Sequence, residues 1–429
     1  MESKDIIIIG AGIAGITLAI RLKRMGIDPM VFEEHEESEL IDGYDKKSVN
    51  ITISHRGIQA LKQIDCAKEL IEKSMDITGR THFIGEESYF TPYTSKPNFC
   101  LYSIERKDLT KILIQRAKKE GVKIQFGFKL TKARFDKKIC FFLNKRKVYE
   151  HPYDFLFGVD GVHSNIRNWL RIPHSITQRD VIYKKIDIDP ANAARLKLNS
   201  HSVNIWPNPK GLFFTLPNKD GSQSGLINIS SKILDDIESD SNLLNKYFPI
   251  LETVVDNFSE KFHTTPPGSF KEVECDGWFA RSSVLLMGDA VHAMMPFYAQ
   301  GANCALEDVS IFCETLKKNN YDLWKTSLEF QKVRPPVTKA IIKLSRGNLK
   351  NLKADKDIDE HLNIKNIELG LERKFPDYFS EYSMVSFTDI PYDKVLNIFE
   401  KRQPILKEYS KKVIGEVSDN LLSEIYTKL

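Results

Sequence analysis

The stretch Ile6-Ile7-Ile8-Ile9-Gly10-Ala11-Gly12-Ile13-Ala14-Gly15 decides the fold. Its four apolar residues predict a strand that is covered on both faces of a parallel sheet. The glycines permit a tight turn, the close approach of a pyrophosphate and close packing of the next helix on the strand. That helix is predicted over residues 13–25, and the N–H groups at its N-terminus favour a phosphate.

A second predicted strand, residues 29–33, ends at Glu33, where a carboxylate can accept hydrogen bonds from ribose hydroxyls. The G-x-G-x-x-G pattern alone is weak, and its alternative is an ordinary Gly-rich turn. Strand, helix and acid agree here and predict a dinucleotide site. The turn does not separate FAD from NAD. The residues assigned to this site are Gly10, Gly12, Ala14, Gly15 and Glu33.

The rest of the chain alternates between two kinds of pattern. A helix over 105–120 and a strand over 122–126 continue the α/β signature, whereas 180–275 has Asn, Pro and Gly turns between short β-like runs, which favours a mostly antiparallel sheet. The α/β pattern returns over 280–345, and helical patterns follow from 346. We therefore predict an α/β fold, α+β overall, with a Rossmann-like domain, an antiparallel-sheet substrate domain and a helical C-terminal region.

The predicted domains are discontinuous. They comprise a cofactor-binding domain of residues 1–75, 101–180 and 276–345, a β-sheet substrate domain of residues 76–100 and 181–275, and a helical cap of residues 346–429.

Composition excludes several classes of protein. A net charge of +4, evenly spread, argues against nucleic-acid binding, and six cysteines without a C-x-x-C pattern argue against a metal site or disulfide framework. No apolar run approaches a membrane span, and the last residues are charged throughout. We expect a cytoplasmic protein without a stable membrane anchor, monomeric or homodimeric.

Two later motifs distinguish FAD from NAD. Residues 157–167, Phe-Gly-Val-Asp-Gly-Val-His-Ser-Asn-Ile-Arg, resemble the D-G-x-x-S-x-x-R segment of flavoprotein aromatic hydroxylases, and Met287-Gly288-Asp289-Ala290 with Pro296 resembles their G-D-A-x-H-x-x-x-P segment. The resemblance implies FAD, with NADPH or NADH as co-substrate. It also implies that a helix N-terminus faces the flavin ring, where its dipole would stabilise the anionic reduced state. His292 is expected to be a structural hydrogen-bonding residue. The residues that the resemblance assigns to FAD are Arg106, Asp160, Gly288, Asp289, Pro296, Gln300, Gly301 and Asn303.

The chain is also similar to the kynurenine 3-monooxygenase family outside the flavin motifs, in residues 47–57, 102–109, 288–308 and 382–387. Members convert L-kynurenine, NADPH and oxygen to 3-hydroxykynurenine through a flavin hydroperoxide, without a protein nucleophile or base. This resemblance implies that a small aromatic amino-acid substrate is held at its carboxylate by an arginine, two tyrosines and an asparagine. The residues assigned to the substrate are Arg80, Tyr93, Asn348 and Tyr382, with Phe297 and Tyr298 near the ring.

Alternatives remain open for these residues and for the function. Arg80 could form a surface ion pair, Tyr93 and Tyr382 could be core aromatics, and Asn348 could cap a helix. Ala299 stands where the family has a glycine, and alanine tolerates positive φ poorly. That departure favours a same-fold monooxygenase acting on another aromatic, polyketide or antibiotic substrate. A non-catalytic flavin- or ligand-binding protein and an NAD-dependent dehydrogenase are further alternatives.

Overall fold

The computed structural model describes residues 5–42, 50–85, 87–280, 282–352, 358–413 and 417–429, and for 349–352, 358 and 359 it describes the backbone alone. Residues 47–49, which open one of the segments of resemblance, lie outside these ranges. The strands are β1 Ile6–Ile9, β2 Pro29–Phe32, β3 Ile51–Ile53, β4 Met75–Ile77, β5 Gly79–Ile84, β6 Glu87–Pro92, β7 Leu101–Ile104, β8 Lys123–Gln125, β9 Lys129–Arg134, β10 Ile139–Asn144, β11 Lys147–Pro152, β12 Phe155–Gly158, β13 His174–Lys185, β14 Ser202–Asn208, β15 Gly211–Pro217, β16 Gln223–Ile229, β17 Gly268–Cys275, β18 Phe279–Ala280 and β19 Val284–Leu286.

The helices are α1 Ile13–Arg24, α2 Glu37–Asp42, α3 His55–Lys62, α4 Ala67–Lys73, α5 Arg106–Lys119, α6 Asn165–Trp169, α7 Pro190–Arg195, α8 Ser231–Ser239, α9 Asn242–Tyr247, α10 Leu251–Val254, α11 Phe258–Thr264, α12 Asp289–His292, α13 Gly301–Lys318, α14 Leu323–Leu352, α15 Ile358–Lys374, α16 Glu381–Phe387, α17 Tyr392–Ser410 and α18 Asp419–Lys428. A 3₁₀ turn, Pro296–Tyr298, precedes α13.

The chain divides into two units. The first comprises Met1–Lys73, Ile104–Arg179 and Lys271–Ile342, and the second comprises Ser74–Ser103, Asp180–Phe270 and Lys343–Leu429. Each unit therefore combines segments that are distant in sequence. The three-domain division proposed above stays a prediction.

The first unit is built on a six-stranded sheet with the order β18-β19-β12-β1-β2-β8. All neighbours are parallel except β18, which runs antiparallel to β19. The four residues of β1 are at most 6% exposed, which is what an all-apolar strand inside a covered parallel sheet requires. The register pairs Ile9 with Phe32 on one side and with Gly158 on the other, so three strand ends meet at the Gly-rich turn.

A seven-stranded sheet has the order β17-β13-β16-β15-β14-β5-β6, and its strands β16, β15, β14, β5 and β6 lie in the second unit. β14, β15 and β16 are antiparallel neighbours, whereas β14 pairs with β5 in parallel, Val203 facing Arg80. The mixed α/β fold class predicted from the sequence is confirmed.

The stretch between residues 180 and 275 is less uniformly β than predicted, because residues 231–264 form α8 to α11. Ser230 caps α8 by accepting a hydrogen bond from the Ile233 N–H at 3.3 Å, and Ile233, Leu234 and Ile237 are buried at helical spacing. These helices are short, so their periodicity is hard to separate from turns in the sequence alone. Their apolar faces join the core of the second unit.

The C-terminal segment is helical as predicted, with a small core of its own formed by α15, α17 and α18. Ile367, Leu371, Leu406, Leu422 and Ile425 are all nearly inaccessible there. Among the described residues, no helix is both long enough and apolar enough to cross a bilayer.

Candidate functional site

The three glycines of the turn after β1 have different surroundings. A Cβ on Gly10, whose φ is +106°, would lie 2.5 Å from the carbonyl oxygen of Val159, and a Cβ on Gly15 would lie 2.0 Å from that of Gly10. A Cβ on Gly12 would meet nothing within 4 Å. Gly10 and Gly15 are therefore required by packing, whereas Gly12 faces open space where α1 begins.

Glu33 lies beside this turn, where the sequence predicts it. Its Oε2 accepts a hydrogen bond from the Ala11 N–H at 2.7 Å, and its Oε1 accepts one from the His35 N–H at 3.0 Å. The residue is 8% exposed, so the two N–H groups offset the cost of burying the carboxylate. Each oxygen keeps further accepting capacity for a ligand hydroxyl.

Asp160 follows β12 and lies close to the same turn, since Gly10 packs against Val159. Its Oδ2 accepts a hydrogen bond from the Ile166 N–H at 3.2 Å. Its Oδ1 is buried and has no hydrogen-bond partner within the described part of the chain. Burial raises the pKa of this carboxyl group, against opposing hydrogen bonds from Ser164 and Ile166. A buried acceptor without a partner, such as this Oδ1, is suited to accept a hydrogen bond from a ligand.

Arg167 joins the second motif to the third. Its Nη1 donates to the Ala290 carbonyl at 2.7 Å and its Nη2 donates to the Val162 carbonyl at 3.1 Å, and the residue is only 1% exposed. Ala290 lies in α12, which begins at Asp289 after Gly288, whose φ is +62°. The side chain of Asp289 is exposed.

A network of buried polar side chains is hydrogen-bonded to the turn at Gly288. Asp308 accepts from the Gly288 N–H at 3.2 Å, from His292 Nε2 at 2.5 Å and from Arg334 Nε at 2.8 Å. Burial opposes ionisation of Asp308, but the charges of His292 and Arg334 outweigh it and lower its pKa. Cys304 lies close enough to His292 and Asp308 for a shared metal, yet both carboxylate oxygens already accept hydrogen bonds. His292 thus makes a buried hydrogen bond, and the purely structural role assigned to it stays a prediction.

The start of α13 is fixed by the side chain of Asn303. Its Nδ2 donates to the carbonyls of Thr52 and Ala299, at 2.9 and 2.7 Å, and its Oδ1 accepts from the Ser54 N–H at 2.8 Å. Gln300 contacts the same strand end, accepting from Ser54 Oγ at 3.3 Å. Both amides therefore hold the helix in place, and a ligand at this helix would meet first-turn N–H groups.

The residues before α13 form the 3₁₀ turn. Phe297 and Tyr298 are 7% and 3% exposed, and Ala299 adopts the left-handed conformation with φ +54° and ψ +31°. The conformation that the sequence analysis associates with glycine is therefore present, held by an alanine. Arg106 is exposed at the first position of α5.

In the second unit, three of the predicted substrate residues come together. The rings of Tyr93 and Tyr382 stack with centroids 4.3 Å apart and planes inclined by 10°. The guanidinium of Arg80 lies 5.4 Å from the Tyr93 ring centroid and 5.3 Å from that of Tyr382. Burial raises the pKa of Tyr382 well above its ordinary value, with a further contribution from Tyr93. Asn348 is 7% exposed within α14, and its place in the clamp stays a prediction.

The order of these features along the chain matches that of a known family. A model of the FAD-binding domain family, described as "FAD binding domain", matches residues 3–319. The chain belongs to this family. Its cofactor is FAD, with NADPH or NADH as co-substrate, and it is an FAD-dependent monooxygenase. The alternative of an NAD-dependent dehydrogenase is thereby excluded.

Curated relatives span nearly the whole chain. The chain is 30% identical to the kynurenine 3-monooxygenase of Cytophaga hutchinsonii over 94% of this chain and 93% of that protein. It is 28% identical to the kynurenine 3-monooxygenase of Christiangramia forsetii over 96% of this chain and 94% of that protein. The resemblance stated from the sequence motifs is confirmed.

Among solved structures, 2-methyl-3-hydroxypyridine-5-carboxylic acid oxygenase superposes with a TM-score of 0.69 at 20% identity, over 85% of this chain and 97% of that one. The tetracycline destructase Tet(51) superposes with a TM-score of 0.63 at 20% identity, over 91% of this chain and all of that one. At these identities the likeness shows the fold.

Features of the first unit fit FAD. The open space at Gly12 adjoins the N-terminus of α1, which suits a pyrophosphate. The unpartnered Oδ1 of Asp160 is an acceptor for a ligand hydroxyl or N–H, and the exposed Asp289 is accessible to a polyol chain. The first turn of α13 offers N–H donors and a positive dipole end.

Several residues around the tyrosine pair were not predicted from the sequence. Lys365 donates to the Tyr93 carbonyl at 2.9 Å, and Glu372 accepts hydrogen bonds from the segments next to both tyrosines. His82 and His361 are influenced by the charge of Arg80, and burial lowers the pKa of each to about 4. The spacing of Lys365 and Glu372 on one helix face was the available signal, but charges at such spacing usually face solvent.

Proposed function

We propose that this chain hydroxylates L-kynurenine to 3-hydroxykynurenine, using NADPH or NADH and molecular oxygen. The observation that carries the proposal is the cluster of Arg80, Tyr93 and Tyr382 in the second unit. It combines a planar cation with two phenol hydroxyls, which is the chemistry that recognises an amino-acid carboxylate. The names of the relatives, which span nearly the whole chain, support the same substrate.

In this proposal, Arg80 binds the substrate carboxylate through two parallel N–H donors, and Tyr93 and Tyr382 add neutral donors. Lys365 and Arg80 are both cations near the Tyr382 ring, at 5.8 and 5.3 Å from its centroid. Burial lowers the pKa of His82 and of His361 to about 4, so both are neutral near pH 7 and add no charge. In the proposal, the positive charge available to the substrate carboxylate therefore comes from Arg80 and Lys365.

The proposal assigns the cofactor to the first unit. Gly12 and the N-terminus of α1 would bind the pyrophosphate of FAD, and Glu33 would bind the ribose. Asp160 and Asp289 would bind polar groups between the pyrophosphate and the flavin ring. The N-terminus of α13 would face the flavin ring. The remaining predicted contacts are Gly10, Ala14, Gly15, Arg106, Gly288, Pro296, Gln300, Gly301 and Asn303. When bound, FAD supplies the reduction of oxygen and the transfer of one oxygen atom.

The protein's part in this chemistry is to bind, orient and exclude water. Phe297 and Tyr298 are buried in the turn before α13, and their role beside an aromatic ring stays a prediction. A clamp on the amino-acid end fixes which ring carbon is presented for reaction, since position alone determines the site of hydroxylation on an activated ring. The proposal requires no nucleophile or general base from the chain.

The test follows NADPH oxidation by the purified flavoprotein with and without L-kynurenine, with product identified by mass and retention time against authentic 3-hydroxykynurenine. We expect kynurenine to stimulate NADPH oxidation and to yield that product. Absence of both, in a protein that carries FAD, would refute the substrate and leave the cofactor assignment intact.

A second candidate is a monooxygenase of the same fold that acts on another aromatic substrate. The buried Tyr298 and the left-handed Ala299, at the turn where the family has a glycine, favour it. Anthranilate-like acids tested in the same assay separate the two, because an acid without the kynurenine side chain should not stimulate the proposed enzyme.

A further inference from the structure

The main chain around both clamp tyrosines is held by one helix, α15. Lys365, Glu368 and Glu372 lie on the same side of this helix, spaced by three and four residues. Lys365 Nζ donates to the Tyr93 carbonyl at 2.9 Å, and Glu368 Oε1 accepts from the Glu381 N–H at 3.2 Å. One face of α15 thus contacts the segments that carry Tyr93 and Tyr382.

Glu372 makes the most extensive of these contacts. Its Oε2 accepts from Thr94 Oγ1 at 2.6 Å and from the Ser95 N–H at 2.9 Å, directly after Tyr93. Its Oε1 accepts from the Ser380 N–H at 2.9 Å, two residues before Tyr382. Each carboxylate oxygen of Glu372 therefore accepts hydrogen bonds from one of the two segments that carry the tyrosines.

Ser380 is also the N-cap of α16, the helix that carries Tyr382. Its hydroxyl accepts from the Ser383 N–H at 3.3 Å, and its carbonyl accepts from the Met384 N–H at 2.9 Å. The orientation of α16, and with it the direction of the Tyr382 ring, therefore depends on where Ser380 is held. Glu372 provides that anchor.

Glu372 is buried, with 3% of its surface exposed. Burial opposes ionisation of the carboxyl group, but hydrogen bonds from Ser383, Thr94 and Ser380 outweigh it and lower its pKa. Buried carboxylates are costly unless their donors are supplied, and hydrogen bonds to a charged acceptor are stronger than neutral ones. Glu372 is therefore a buried carboxylate whose position is fixed by its hydrogen-bond donors.

We propose that Glu372 is a positioning residue for the substrate clamp: it sets the stacking of Tyr93 on Tyr382, and through it the placement of the two phenol hydroxyls beside Arg80. The link to substrate rests on the proposed function. The link to the tyrosine pair rests on the hydrogen bonds alone. The hydrogen bonds described for Glu372 are made to Thr94, Ser95 and Ser380, so its role is to position the tyrosines.

The first experiment is hydrogen exchange on the FAD-loaded, substrate-free protein, comparing wild type with Glu372→Gln. The amide of glutamine keeps one acceptor but places an NH₂ group against the other set of donors, so one tyrosine segment must lose its anchor. We expect faster exchange around residues 94–96 or 380–384, with little change elsewhere. Unchanged exchange in both segments would overturn the proposal, whatever the substrate is.

The matched control is Glu360→Gln. Glu360 lies on the same helix and pairs with Lys407 at 3.3 Å, in an ion pair that is partly exposed. Its removal should leave exchange around 94–96 and 380–384, and the kinetic constants, as in wild type. Equal effects of the two variants would show a general loosening of α15 and would contradict a specific role for Glu372.

The second experiment measures KM and kcat for L-kynurenine. Glu372→Gln should raise KM by about tenfold, and kcat at saturation should change far less, because the clamp binds the end of the substrate remote from the reacting carbon. Glu372→Gln combined with Tyr93→Phe should raise KM by less than the product of the single effects, since both changes disturb the same stacked tyrosine pair. An unchanged KM in Glu372→Gln, or effects of the two substitutions on KM that multiply strictly, would show that Glu372 does not act on the clamp.

Thr94→Val provides a milder variant in case Glu372→Gln does not fold. It removes one hydrogen bond to Glu372 Oε2 at nearly constant volume, and it should raise KM in the same direction by a smaller factor. Failure of wild type to use kynurenine would refute the proposed substrate, and the exchange experiment would still decide whether Glu372 orders the tyrosine pair.

Discussion

Tyr93 and Tyr382 stack with their ring centroids 4.3 Å apart, although one precedes β7 and the other lies in α16 near the end of the chain. Arg80 lies within 5.4 Å of both rings. A cation near two aromatic faces is stabilised by their quadrupoles. This arrangement is prepared for an anionic group, and the first prediction concerns its cation.

Arg80→Ala should raise KM for L-kynurenine by about tenfold to a hundredfold, the range expected for losing charge-assisted hydrogen bonds to a carboxylate. The FAD content should not change, because Arg80 lies in the second unit and the flavin residues lie in the first. KM and the flavin absorbance of the purified protein check the two statements. Arg80→Lys retains the charge but lacks the planar guanidinium, so its KM should lie between those of wild type and Arg80→Ala. Loss of FAD in Arg80→Ala would show that the residue is wrongly assigned.

Gly12 and Gly15 should respond differently to the same substitution. Gly12→Ala places a methyl in open space, so the melting temperature of the flavin-free protein should stay close to that of wild type while FAD content falls. Gly15→Ala places a Cβ 2.0 Å from the Gly10 carbonyl oxygen, which forces the helix away from the strand, so the protein should be destabilised by about 1–3 kcal/mol or more. Flavin absorbance and thermal unfolding separate these outcomes. Equal FAD content in Gly12→Ala and wild type would contradict the pyrophosphate assignment.

Ala299→Gly should stabilise the protein by about 0.5–1 kcal/mol, because a left-handed residue with φ +54° favours glycine over alanine. Its control is Ala302→Gly, three residues later in α13, where the same change costs about 1 kcal/mol of helix stability. Urea unfolding of both variants measures the two opposite shifts. A destabilised Ala299→Gly would mean that the methyl of Ala299 makes packing contacts that exceed the backbone strain.

Stability should decrease on acidification through two partly buried histidines, His82 and His361. Burial lowers the pKa of His82 to about 4, from an ordinary value of 6.5, and that of His361 to about 4 as well. The unfolded chain therefore takes up these protons below about pH 6.5, whereas the folded protein does so only near pH 4, so stability is lost as the pH falls through that window.

His82→Gln tests this pH dependence. It should remove on the order of 1 kcal/mol of the difference in unfolding free energy between pH 7 and pH 5, measured by urea titration. His263→Gln, which changes an exposed histidine on α11, should leave the difference as in wild type. A pH dependence identical in His82→Gln and wild type would show that His82 binds its proton normally in the folded state.

The sequence alone determined the dinucleotide-binding turn at the start of the chain. An all-apolar strand, a glycine turn and an amphipathic helix admit few arrangements, because each residue's role depends on neighbours within a few positions. The predicted bounds of β1, α1 and α5 agree with the structure to within about one residue at each end. The motifs at Asp160 and Gly288 were identified by their resemblance to a known family, and the FAD-binding family confirms the cofactor that this resemblance implied.

Only the tertiary structure decided how the substrate clamp is assembled. The stacking of Tyr93 on Tyr382, the hydrogen bonds of Lys365 and Glu372 from α15, and the effect of the Arg80 charge on His82 and His361 all depend on contacts between segments far apart in the chain. A charge on a helix has the same sequence signature whether it faces water or a buried hydrogen-bond donor. Which of the two applies depends on the segment that packs against the charged side chain, and tertiary packing rather than the local sequence pattern decides that.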